Sequence, residues 1–290
     1  MANFSPPNRP RAERSSAALC LAVLLLSGAG CDLDARVGLR NPFIGIPSPE
    51  DRSEAVTASL GRTSGASFVL HPSYLGVTGA VDALIGAGTE TRVRLTGSGT
   101  GTASIAWERG AETGTVLSKG FERSRSLLLP AFWKAGEREA DGNGLLWLSP
   151  EAYQELNTLG MTDLRIGLGD GAFDAASKAL QAFNAIAKRL SVSATSTPSV
   201  PDRPFAAALK GESSVFPVRI DGKLERLRVL TVRSWFAEYV ILKNPENPLV
   251  LKVSVNPVSM EALRAFAPEG VDPQAVGYEI TALTSAPASP

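Results

Sequence analysis

The chain has 290 residues, with 29 Lys+Arg against 29 Asp+Glu, one His, two Cys and 44% hydrophobic residues. A chain this long and this apolar can bury a sizeable core, which excludes wholesale disorder and fits one large domain or two ordinary ones. There is no basic excess to neutralise phosphates, so general nucleic-acid binding is excluded, and one His with two Cys cannot build the usual zinc site or disulfide scaffold; no cofactor and no metal are expected.

Residues 1–14 hold Arg9, Arg11 and Arg14 against Glu13, and the apolar stretch SSAALCLAVLLL follows through Leu26. That order is the n-region and h-region of a signal peptide (1–30), too short for a bilayer core, which takes roughly 20 apolar residues. Small residues close it: Ser27, Gly28, Ala29 and Gly30, then Cys31. The SGAGC segment resembles the signal peptides of bacterial lipoproteins, with Gly28 where that family prefers Leu. The resemblance implies cleavage before Cys31 and attachment of diacylglycerol to its thiol. Cys20 would leave with the signal, so the mature chain would begin on its only cysteine and carry 26 basic against 28 acidic groups. No second apolar run of membrane-spanning length follows. The expected location is therefore the bacterial cell envelope, lipid-anchored on the periplasmic side or at the cell surface. Asp32 resembles the inner-membrane retention signal of enteric bacteria, and the choice between inner and outer membrane stays open.

Residues 31–55, interrupted by Pro42, Pro47 and Pro49, read as a lipidated tether with no sustained period. From 56 to 190 a β-rich region with two helices is expected. SFVLH (67–71), TRVRLTG (91–97), TASIAWE (102–108), TGTVLSK (113–119) and RSLLLPAFW (125–133) fit pleated segments, and the Gly-rich 96–102 turns one strand into the next. Ser149 as N-cap, Pro150 at the first position and Gly160 beyond the end predict a helix at about 150–159. MTDLRIGLG reads as one strand. An apolar stripe through Phe173, Leu180, Phe183 and Leu190 predicts a helix at 172–190.

The Ser/Thr/Pro-rich 191–204 reads as a linker or long loop, and 205–283 as an antiparallel β region, joined to the same sheet or separate from it. Asp221-Gly222 signals a hairpin; EYVILKN and LVLKVSV make a second pair around Pro245 and Pro248; a short helix at Ser259–Phe266 and a strand at 276–283 precede a loose tail at 284–290. The fold class is α+β: β-rich, mainly antiparallel, with two main helices.

Signatures of chemistry are few. The sequence contains no HExxH, no Cys pair and no G-x-S-x-G elbow. A Ser/His/Asp triad would have to use His71, which is the one candidate catalytic residue and stands at a strand exit before Pro72. The acids Glu137, Glu139 and Asp141 read as a solvated hairpin tip rather than a glycosidase pair. Basic residues gather at Arg123 and Arg125, and at Lys223, Arg226, Arg228 and Arg233, where a stripe on one strand face would suit anionic lipid or a solvated surface. Trp133, Trp147, Trp235, Phe236 and Tyr239 are either core or groove lining.

The leading expectation is a non-enzymatic, membrane-anchored envelope lipoprotein with a binding or structural role, partnered by the membrane through lipid on Cys31 and by an envelope protein or anionic lipid. The alternatives are a carrier of a hydrophobic ligand in a β-sheet cavity and a wall or polysaccharide hydrolase.

Overall fold

Alternating apolar and polar residues generate most of the architecture in the computed structural model, which describes residues 49–73, 90–167, 203, 205–211, 213–256 and 276–286. Four strands form an antiparallel layer: β1 (Ser67–Pro72), β2 (Thr91–Gly99), β3 (Thr102–Arg109) and β4 (Glu112–Lys119). Their register aligns Phe68, Val93 and Trp107 in one row and Leu95, Ile105 and Val116 in another. All six are buried, so one face is apolar while Arg92, Arg94 and Thr96 of β2 stay wet on the other. Trp147 meets Phe68 edge-on at 5.8 Å and Trp133 lies 6.2 Å from Trp107, so the segment that carries these tryptophans lies over the apolar face.

The apolar run at 125–133 is pleated only over β5 (Ser126–Leu128), because Pro130 opens a 3₁₀ turn at Pro130–Phe132. The acidic segment is not a hairpin tip. Gly136–Glu139 forms β6, an edge strand running parallel to β4. The stretch predicted as one strand after the second helix splits at buried Leu164. β7 (Met161–Asp163) joins one end of the large sheet, and β8 (Arg165–Gly167) pairs in parallel with β5.

The C-terminal strands curl and close. β9 (Ala206–Leu209) pairs with the far end of β11. β10 (Ser214–Ile220) and β11 (Lys223–Arg233) form a hairpin on Asp221 (φ 49°) and Gly222 (φ 81°), the double positive-φ turn that the dipeptide encodes. β12 (Ala237–Leu242), β13 (Val250–Val255) and β14 (Tyr278–Thr284) continue the meander. β14 then pairs in parallel with β10 at Arg219 and Ile220, which closes five strands into a small barrel. Along its opposite edge β14 pairs with β1, so barrel and first layer are one continuous twelve-stranded sheet. Val232, Tyr239, Val253 and Tyr278 form a buried row across four of its strands, and Tyr278 Oη donates to Val250 O at 2.9 Å. The β-rich α+β reading therefore holds, with a mixed large sheet in which β4/β6 and β10/β14 are parallel, beside the parallel two-stranded sheet β5/β8.

Two helices are described. α2 (Pro150–Leu159) has the predicted grammar: Ser149 Oγ accepts from Ala152 N at 3.1 Å, and Gly160 at φ 71° donates to Leu156 O. α1 (Pro49–Ser59) was not expected, since the tether reading ran through residue 55. Its hidden face is mostly polar, Ser53 and Thr57 with Leu60 just beyond, so it carries no apolar stripe to read. Thr57 Oγ1 accepts from the Arg228 amide at 2.7 Å where β12 runs out. Asn244 Nδ2 donates to Thr57 O and Leu60 O, and Asn247 Nδ2 to Leu60 O, tying the end of α1 to the β12–β13 turn. The signal segment, Cys31, the helix expected at 172–190 and the short one at 259–266 lie outside the described residues.

Candidate functional site

The wet face of the first layer forms an open groove of about 660 Å³. Strand register builds it. Ser67, Arg94, Ala106, Thr115 and Glu137 lie in one row from β1 to β6, and Val69, Arg92, Glu108 and Thr113 in the next. Its floor depends on glycine. A Cβ on Gly114 would stand 2.7 Å from Gly136 O and 2.8 Å from Trp107 Nε1, so only glycine admits both the parallel edge strand and the indole. Trp107 Nε1 is buried and finds no acceptor among the described residues. Arg109 stacks over the same indole, its Cζ 5.2 Å from the ring centroid, while donating to Pro130 O and pairing with Glu112.

The charges on this face are paired both along and across the strands. Arg92 Nε meets Glu90 at 2.8 Å and its Nη1 lies 3.7 Å from Glu108. The hydrogen bond it donates to Glu90, and the charge of that carboxylate, hold the Arg92 guanidinium above its ordinary pKa. Lys252 meets Glu279 at 2.5 Å on the neighbouring strands. Arg94 has no ion-pair partner among the described residues.

His71 stands on this face beside the groove, opposite Glu279 in the β1–β14 register, its Nε2 3.7 Å from Glu90 Oε2. Its side chain is 43% exposed, and among the described residues no serine hydroxyl hydrogen-bonds to it, so the geometry assembles no triad around it. The acids do not converge either. Glu139 is taken by Lys119 at 2.8 Å, and Glu137 sits on the groove rim. Among the described residues no group of three His, Cys, Asp or Glu side chains is placed to hold a metal.

The basic clusters disperse. Arg125 leaves its neighbour Arg123 to clamp Glu155 at 2.5 and 2.8 Å and reach Glu151 at 3.3 Å, docking α2. Thr162 Oγ1 donates to the same Glu155 at 2.6 Å. In β11, Arg226 and Arg228 occupy one side of the strand and Lys223 and Glu225 the other, so the expected single stripe is two half-stripes. The aromatic ambiguity resolves toward core: Trp133, Trp147, Phe236 and Tyr239 are buried, and Trp235 is half-buried against them. What the sequence reading missed is the groove itself, because cross-strand neighbours follow from register, which no linear motif records.

No family model, no curated protein and no solved structure matches this chain.

Proposed function

We propose that the chain is an exported lipoprotein held to the bacterial envelope through Cys31, and that its body is a non-enzymatic binding module working through the outer face of β1–β4. The anchoring half of this reading rests on the cationic start, the short apolar run and the small residues before Cys31. The binding half is carried by the pairing of most ionisable groups on and beside that face: Arg92 between Glu90 and Glu108, Glu139 with Lys119, and Glu279 with Lys252 on the neighbouring strands. A general acid or base needs a pKa moved toward working pH by burial or unbalanced charge. Solvent-facing pairs flanked by Thr113, Thr115 and Arg94 instead offer hydrogen-bonding groups of both signs, which suits an extended polar ligand.

The carrier alternative is disfavoured by the groove itself, which is open to solvent and lined in part by Arg92, Arg94, Glu108 and Glu137. Native mass spectrometry of delipidated protein is expected to return a clean apo mass, whereas a co-purifying lipid would favour the carrier. For the anchor, Cys31→Ala is expected to abolish uptake of labelled fatty acid and partition into detergent. Undiminished labelling of that variant would refute lipidation at this position.

A further inference from the structure

The outer face of the β10–β11 hairpin has a composition unlike the rest of the sheet. Its three cross-strand pairs are Val215 with Arg228, Pro217 with Arg226, and Arg219 with Leu224. Each joins one cation to one apolar residue, and no acid falls on that face. Leu224 is 68% exposed and Val215 48%, large apolar side chains that water penalises where they stand. Arg228 is steadied by Glu50 of α1 at 3.5 Å, while Arg219 and Arg226 have no ion-pair partner among the described residues. The nearby acids are engaged elsewhere: Glu225 faces the other side and pairs with Arg52, and Asp221 accepts from the Ser285 amide and hydroxyl. The interleaving of guanidinium groups with exposed aliphatic tips matches a bilayer surface, where arginine meets anionic headgroups and the apolar tips enter the boundary beneath them.

The position of the hairpin fits the same partner. The described body starts at α1, whose first turn contacts β11 through Glu50–Arg228 and Arg52–Glu225. Seventeen residues separate Cys31 from Pro49, a reach of at most roughly 60 Å at full extension. The described residues therefore begin beside Arg228, at one end of this face.

We infer that the outer face of the β10–β11 hairpin docks on the anionic bilayer to which Cys31 is anchored, fixing which way the groove faces. This rests on the anchoring reading above. The test replaces Leu224 with the photo-crosslinker p-benzoylphenylalanine in the full chain, reconstituted by detergent removal into vesicles of equal parts phosphatidylglycerol and phosphatidylcholine. A second chain carries the same residue at Leu159, which is similarly exposed on α2. Phospholipid adducts are expected at position 224 and not at 159. They should fall about tenfold or more in phosphatidylcholine alone, and equally in the Arg219→Gln/Arg226→Gln variant. Equal lipid adducts at both positions, no lipid adducts at 224, or adducts at 224 to another protein in cells would overturn the docking face. The intact mass of the same sample reads lipidation separately: a chain without added diacylglycerol overturns the anchor while the crosslink pattern still decides the hairpin.

Discussion

Asn244 and Asn247 show how much of this fold hangs on single buried amides. Both lie in the β12–β13 turn, and together they satisfy the carbonyls at the end of α1; Asn247 Oδ1 also accepts from Trp147 Nε1 at 2.7 Å. Trp147 is buried, so Asn247→Ala would strand its indole N–H without water to replace the partner. A loss of about 1–3 kcal/mol is expected, read as a lower urea midpoint at unchanged slope. Gly114 is the second such position. Gly114→Ala must displace either the Trp107 indole or the Gly136 carbonyl, so the expected result is faster amide exchange in Gly136–Glu139 with the centre of the first layer unaffected. Neither residue advertises its role in a linear reading. An asparagine beside prolines looks like an ordinary turn, and a glycine between threonines looks like a weak strand position.

Among the elements, α2 was legible to the residue because its start and stop signals are local: the hydroxyl of Ser149, the fixed φ of Pro150 and the left-handed Gly160 act on their own neighbours. The hairpin at Asp221-Gly222 was legible for the same reason. α1 was not, since its hidden face buries Ser53 and Thr57 rather than an apolar stripe, and Thr57 Oγ1 finds its partners in the Ser53 carbonyl and the Arg228 amide of β11. β6 was misread because a parallel partner leaves no turn signal between the strands it joins. The docking of α2 is open to a pH test. The hydrogen bond from Arg125, with that from Thr162, holds the Glu155 carboxyl below its ordinary pKa. A depressed folded pKa gives stability that is present above the unfolded value, about 4.3, and is lost as pH falls through the folded one. Glu155→Gln should therefore be less stable than the parent at neutral pH, by about 1 kcal/mol or less given its partial exposure, and the difference should vanish in acid. A difference that persists at low pH would place the effect in packing.

For the whole molecule, the barrel has a predicted weakness in alkali. Burial pushes the phenols of Tyr239 and Tyr278 well above their ordinary range. A raised folded pKa means stability is complete below the unfolded value of about 10 and falls as pH rises beyond it, because only the unfolded chain ionises freely. Cooperative unfolding above pH about 10 is expected, with tyrosinate absorbance and loss of far-ultraviolet signal coinciding, and Tyr239→Phe should move the midpoint upward. An unmoved midpoint would assign the transition to other groups. At this scale the class and most strands were legible, because alternation survives in each segment separately. Closure of the barrel and the groove were not, because both are made by pairings between distant segments.

The triple engagement of β14, with β1 on one edge and with β13 and β10 on the other, sets a schedule. Its partner β1 is more than two hundred residues earlier. Neither the barrel nor the junction to the first layer can form until β14 has been made, and closing so long a loop is slow. A nascent chain that has not yet reached its keystone leaves β1 and β10 each with an unpaired edge, so the two parts of the sheet lock together in a single late event.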